Sequence, residues 1–208
     1  MTNYNWNFLP NTGYITTVIS KEELKPIQDE INNIQKNFAS PENIKTNQYL
    51  AGHIENQFTL VESAEHIKNL ISPLATAFNK QFDFIHRNVN TKIEFMHLWV
   101  NFQKKYEFNP WHMHGGDLSF VLWMSIPYDI NDELKTNPGK DGTDPAPGGF
   151  TFCYADTSGK IKIQKFLIGK DMEASMILFP ASVVHSVYPF YTSDEYRISV
   201  SGNIKFKD

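Results

Sequence analysis

The stretch NPWHMHGGDLSFVLWMSIPYD, residues 109–129, decides how the chain is to be read. It joins two histidines, His112 and His114, to a long apolar run that starts at Leu118. On a strand, residues i and i+2 point to the same face, so the two imidazoles can converge on one ion. Imidazole nitrogen suits iron, zinc, copper or nickel. The run LSFVLWMSIPY has no alternation, and reads as a strand covered on both faces.

Working outward, the period stays at two. KIEFMHLWVNFQ (92–103) alternates, and FTFCYAD and KIKIQKFLI flank Thr157, Ser158 and Gly159 as a hairpin. SMILFP, VVHSVYP and YRISVSGNIKF follow as short strands. Many short strands broken by Gly and Pro predict a sandwich or barrel, not a parallel α/β sheet. Upstream the period becomes helical. Leu24, Ile27, Ile31, Ile34 and Phe38 share a face after Ser20, which forms a capping box with Glu23, unless Pro26 delays the helix start. A second helix follows Ser63, carrying Ile67, Leu70, Ile71, Leu74 and Phe78, with a kink expected at Pro73. QYLAGHIENQFTLV between them reads as a short strand or loop. DINDELKTNPGKDGTDPAPGG, 129–149, reads as a structureless loop of the kind that forms lids or binding loops, or stays disordered. The expected organisation is a single domain, 1–208, with a helical support region (1–91) before a β core (92–208).

Composition narrows the function classes. The chain has 208 residues, a formal net charge of −4 and no basic run longer than two residues. That argues against a nucleic-acid binder. A single cysteine, Cys153, excludes an intrachain disulfide framework and reads as a small apolar strand residue. No apolar stretch reaches membrane-span length, and the N-terminus lacks the pattern of a secretory signal. A soluble cytoplasmic protein is expected, with an Asn-, Lys- and Ile-rich composition that suits a bacterial or phage gene. Oligomeric state is not legible.

Three further features carry chemistry. His185 lies in SMILFPASVVHSVYPF, where an antiparallel barrel can bring it beside residue 112. Arg197, Ser199, Ser201 and Asn203 share one strand face in RISVSGN. If that face points inward, a buried guanidinium needs a partner, and a ligand carboxylate in its bidentate fork would serve; the alternative is a solvent-facing strand. Trp99, Trp123 and Phe152 read as core that could wall a site, and Asn101 shares a strand face with Trp99. His53, His66, His86 and His97 read as surface or core residues, not ligands.

Together HMH, the distal His of FPASVVH and the Arg of RIS resemble the iron(II)- and 2-oxoglutarate-dependent oxygenases. The likeness is to a small bacterial and phage, prolyl 4-hydroxylase-like group. It spans residues 92–206, and YLAGHIENQF is similar to the N-terminal part of the phage members. The resemblance implies a mainly β fold, a double-stranded β-helix (jelly roll or cupin-like barrel) preceded by helices. It implies iron(II) held by His112 and His185, with the third ligand at position 114. There the family usually has a carboxylate and this chain has His, so Asp117 stays open as the alternative to His114. It further implies 2-oxoglutarate as small-molecule cosubstrate, its far carboxylate on Arg197 and Ser199 with Asn101 as a further contact, O2, and ascorbate as a possible reductant. The reaction would be hydroxylation of a protein or small-molecule substrate, peptidyl proline by analogy only. A non-oxygenase metal-binding cupin and a non-catalytic jelly-roll module stay open.

Overall fold

The computed structural model describes residues 11–47, 51–82 and 92–207. Among these residues, ten strands form two antiparallel sheets. The larger has the order β1-β8-β5-β10-β3-β2 and the smaller β4-β9-β6-β7. In chain order the strands are β1 (Ile15–Val18), β2 (Asn56–Thr59), β3 (Lys92–Gln103), β4 (Asn109–His112), β5 (Leu118–Ser125), β6 (Phe150–Ala155), β7 (Ile161–Phe166), β8 (Ser175–Pro180), β9 (Val184–Val187) and β10 (Arg197–Lys207). This is the jelly roll the sequence suggested. The N-terminal region adds more than helices, because β1 and β2 form the two edges of the larger sheet.

Two helices cover the outer face of that sheet. α1 (Lys21–Lys36) starts at the capping box: the Ser20 hydroxyl accepts from the Glu23 amide and the Glu23 carboxylate accepts from the Ser20 amide. Pro26 therefore sits inside the first turns and does not set the start. α2 (Ala64–Phe82) runs through Pro73 and buries Ile67, Ile71, Ala75 and Phe78. Its N-terminus is closed by Glu30 of α1, whose carboxylate accepts from the amides of Val61 (2.7 Å), Glu62 (3.0 Å) and Ser63 (2.8 Å). These N–H groups belong to the turn that leads into the helix, and an anion at that end is also favoured by the helix dipole. Beneath the helices lies the first core, built from alternate residues of the sheet such as Val100, Leu122 and Val200.

The intervening residues of the same strands face inward. Val121, Trp123, Ile177 and Phe179 meet Phe150 and Phe152 of the smaller sheet in a second core. Phe152 and Phe179 lie 4.9 Å apart by ring centroid, and Trp123 and Phe150 5.9 Å. Trp123 and Phe152 are thus core, as expected. β5 is buried on both faces along Leu118–Trp123.

The 129–149 segment departs from its expected form. It contains α3 (Ile130–Thr136), capped by the Asp129 side chain on the Asn131 amide at 2.7 Å. Its Glu133 is fully buried and accepts from the amides of Tyr191 (2.8 Å) and Thr192 (2.7 Å). The start of the excursion is thereby pinned to the chain just ahead of β10. His86 and residues 1–10 lie outside the described residues.

Candidate active site

Between the two sheets lies a cavity of about 510 Å³. The larger sheet supplies a ladder of polar rows to its wall. Gln103 pairs with Arg197; Gln57, Asn101 and Ser199 form the next row; Thr59, Trp99 and Ser201 the next; then His97 and Asn203. All of these residues border the cavity. The inward reading of Arg197, Ser199, Ser201 and Asn203 holds, and the solvent-facing alternative falls. Arg197 is the one formally charged side chain among the described residues lining the cavity.

On the opposite wall the structure brings His112, His114 and His185 together. One ring nitrogen from each lies within 4.8 Å of the others. His112 and His185 are direct partners across β4 and β9, and their rings are 4.2 Å apart. β4 ends at His112, so His114 lies just past the strand, yet its ring is 5.0 Å from both others. Its backbone amide donates to Ala181 O at 2.9 Å, which ties this turn to the one before β9.

The tautomers of two rings are set locally. His112 Nδ1 lies 2.7 Å from Pro110 O and His185 Nδ1 2.9 Å from Val183 O. A carbonyl only accepts, so each Nδ1 carries hydrogen and each Nε2 keeps its lone pair for an ion. Burial pushes all three imidazoles below their ordinary range, His185 to about 3 and His114 to about 4, and neighbouring imidazoles add to the effect at both. The rings are therefore neutral at pH 7, the form that binds metal.

Asp117 is placed elsewhere. Its carboxylate accepts from the Phe206 amide at 2.8 Å, and its own amide donates to Ile204 O at 2.8 Å. It fastens the end of β10. The turn reaches it through Gly116, whose φ of +100° and whose Cβ position, 2.8 Å from Ile204 O, both exclude a side chain.

Arg197 is only 2% exposed. Its partners are Gln103 Oε1, the Tyr128 hydroxyl, Gly148 O and Tyr188 O, all neutral. Sequence reasoning missed these four: Gln103, Tyr128 and Gly148 come from distant segments, and Tyr188, nine residues away, contributes only a backbone carbonyl. Gly148 has φ +63°, and a Cβ there would lie 2.5 Å from the Tyr128 hydroxyl. Burial raises the Tyr128 pKa, so its hydroxyl stays protonated. Asn101 is buried with no hydrogen-bond partner for Oδ1, an acceptor turned toward nothing in the protein. Trp99 touches the His114 ring (5.6 Å between centroids) and so belongs to the site wall. His53 packs on Phe108 and His66 bonds Glu23 O, as ordinary structural residues do. His97 borders the cavity without joining the cluster.

The family model described as "Putative 2OG-Fe(II) oxygenase" matches residues 97–203, the stretch that carries all three histidines and Arg197. The chain belongs to the 2OG-Fe(II) oxygenases. No curated protein matches this oxygenase in sequence. Among solved structures it is similar to a Pseudomonas putida prolyl-4-hydroxylase: 13% identity over 95% of this chain and 94% of that one, TM-score 0.58. It is also similar to SnoK, a non-heme alpha ketoglutarate dependent carbocyclase from nogalamycin biosynthesis: 9% identity, 94% and 80% covered, TM-score 0.56. A third is HygX from Streptomyces hygroscopicus, solved with nickel, 2-oxoglutarate and hygromycin B: 9% identity, 93% and 83% covered, TM-score 0.53. At such identities the likeness is one of fold. Family membership sets aside the non-oxygenase cupin reading. No helix among the described residues is long and apolar enough to cross a membrane.

Proposed function

We propose that this oxygenase hydroxylates its substrate with iron(II) held by His112, His114 and His185 and 2-oxoglutarate held by Arg197, Ser199 and Asn101. One observation carries the reading: three neutral imidazoles on one wall of a cavity face a buried guanidinium on the other. The donor set fits the group. Nε2 lone pairs on His112 and His185 are free, and neutral imidazole is a good iron ligand. The cavity has no lining carboxylate among the described residues to repel a dicarboxylate, and Arg197 is its single fixed charge. When bound, iron and 2-oxoglutarate supply the oxidation: O2 and the keto acid give succinate, carbon dioxide and one oxygen atom for the substrate.

The chain's own residues position and exclude. Phe150 and Phe179 pack against His185, with Phe152 against Phe179, and keep that side dry. Pro110 O and Val183 O hold two rings in one tautomer. The use of His114 where a carboxylate is usual makes the metal site one unit more positive, which lowers its affinity for a cation and strengthens its hold on the anionic keto acid. Asp117 already serves the Phe206 amide, which favours His114 as third ligand. Peptidyl proline is the substrate suggested by likeness to the Pseudomonas enzyme, and that suggestion rests on fold analogy alone.

The test needs no substrate. Purified protein is stripped of metal, then given iron(II), ascorbate, O2 and 2-oxoglutarate, and succinate is measured. The expected result is slow iron-dependent succinate that vanishes in His185→Ala and Arg197→Ala. Succinate that survives both substitutions would overturn the assignment.

A further inference from the structure

The guanidinium of Arg197 has five N–H donors, and the protein uses all five. Nη1 donates to the Tyr128 hydroxyl (2.9 Å) and Gly148 O (2.6 Å). Nη2 donates to Tyr188 O (3.1 Å) and to Gln103 Oε1 (2.6 Å), and Nε donates to the same Gln103 Oε1 (3.1 Å). A single amide oxygen therefore sits in the Nε/Nη2 fork, the geometry a carboxylate takes in a bidentate pair. Of the four partners only Gln103 borders the cavity.

Gln103 is held there by its surroundings. It is the direct cross-strand partner of Arg197 in the β3–β10 ladder. Its Nε2 donates to Glu107 O at 2.6 Å, which turns the amide oxygen toward the guanidinium. It is 3% exposed. An anion coming from the cavity meets a fork that is already filled.

We propose that Gln103 is a built-in competitor for the far carboxylate of 2-oxoglutarate, holding the Arg197 fork in the free protein and turning out of it when the cosubstrate binds. This rests on the reading of Arg197 as the cosubstrate anchor. The exchange runs in the right direction, because a carboxylate makes stronger, charge-assisted bonds to guanidinium than a neutral amide does. It also weakens binding. Only the fraction of molecules with the fork open can accept the ligand, so the apparent Kd is the intrinsic one divided by that fraction. The device sets how much 2-oxoglutarate the enzyme needs. When succinate leaves, the amide returns to the fork and the buried guanidinium is never left with bare donors, which favours product release.

The experiment is anaerobic calorimetric titration of the full chain loaded with Mn(II) in place of iron. 2-Oxoglutarate is compared with pyruvate, which shares the keto acid end but lacks the far carboxylate. Gln103→Ala and Gln103→Met remove the amide oxygen, the second keeping the side-chain length. Gln103→Glu puts a permanent anion in the fork. Both neutral variants are expected to bind 2-oxoglutarate about three- to tenfold more tightly than wild type. Gln103→Glu is expected to bind it at least about tenfold more weakly. Pyruvate affinity should stay within about twofold throughout. Binding that loosens or does not change in both Gln103→Ala and Gln103→Met would overturn the competitor and leave Gln103 as a support for Arg197. If neither wild type nor Gln103→Ala binds 2-oxoglutarate although both bind pyruvate, the Arg197 anchor itself is wrong. If neither ligand binds any variant, the whole cosubstrate reading fails.

Discussion

Strand β10 has two faces, and they solve opposite problems. Ile198, Val200, Ile204 and Phe206 lie in the core beneath α1 and α2, each no more than 6% exposed. Arg197, Ser199, Ser201 and Asn203 alternate with them and border a cavity of about 510 Å³. The first face is closed by shape alone. The second keeps polar groups and open space where a core would fill both. Because the side-chain period of a strand is two, one backbone serves both without compromise. Stability and ligand chemistry should then be separable by substitution.

The largest effect should come from the helix side. Phe78 of α2 is fully buried, and its ring packs on Phe82 at 4.7 Å. Phe78→Ala removes a large apolar group from a packed layer, and should lower the free energy of unfolding by about 3–5 kcal/mol. Urea unfolding measures it. The folded fraction should bind Mn(II) and 2-oxoglutarate as wild type does; a change of more than about tenfold would mean that the helix layer and the cavity are one unit. His185→Ala should do the reverse. Succinate formation should drop by on the order of 100-fold or more, since even outer-shell changes at metal sites lose 10–100-fold. The melting temperature of the metal-free protein should hardly move, because the loss of packing is offset by removal of a desolvated imidazole.

That imidazole gives the cavity face its own pH signature. His185 titrates at about 3 in the folded protein and His114 at about 4, both below the ordinary 6.5. The unfolded chain takes up protons that the folded chain refuses, so stability falls as the pH is lowered from about 6.5 to about 3, His114 ceasing to contribute below about 4, and is level above about 6.5. The slope is at most about 1.4 kcal/mol per pH unit for each such group. Urea midpoints of the metal-free protein at pH 7, 6 and 5 measure it. His185→Leu should flatten the slope, and an unchanged slope would place its source elsewhere.

The parts legible in sequence were those with local causes. Alternation in 92–103 and the apolar run from Leu118 gave β3 and β5 their places, and Ser20 with Glu23 marked the start of α1. β1 was missed because it is a four-residue edge strand with only a half-buried alternation. α3 was hidden by the Gly- and Pro-rich stretch around it. Its signals were there, with Asp129 as cap, acids in the first turn and Lys135 in the last. Within the site, HMH and the order His–His–Arg were readable, because each is a short motif. Gln103, Tyr128 and Gly148 were not, since their roles depend on strand register and on where the 129–149 excursion returns. Nothing local distinguishes Gln103 from any other polar strand end. Asp117 could not be separated from His114 by spacing, because its use lies at the far end of β10.

The smallest effect tests the separation most sharply. Ser20→Ala removes the hydroxyl that accepts from the Glu23 amide, leaving one orphan N–H at the start of α1. The expected loss is about 1 kcal/mol. For a chain of this size that is about 2–4 °C in Tm. α1 also carries Glu30, which holds the turn leading into α2, so loosening it tests the helix layer although no residue of α1 itself borders the cavity. If the two faces of the larger sheet are independent, the Tm drops and the affinities for Mn(II) and 2-oxoglutarate stay put. A shift of threefold or more in either affinity, with so small a change in stability, would mean that strain in the helix layer reaches β10 and turns its inner face.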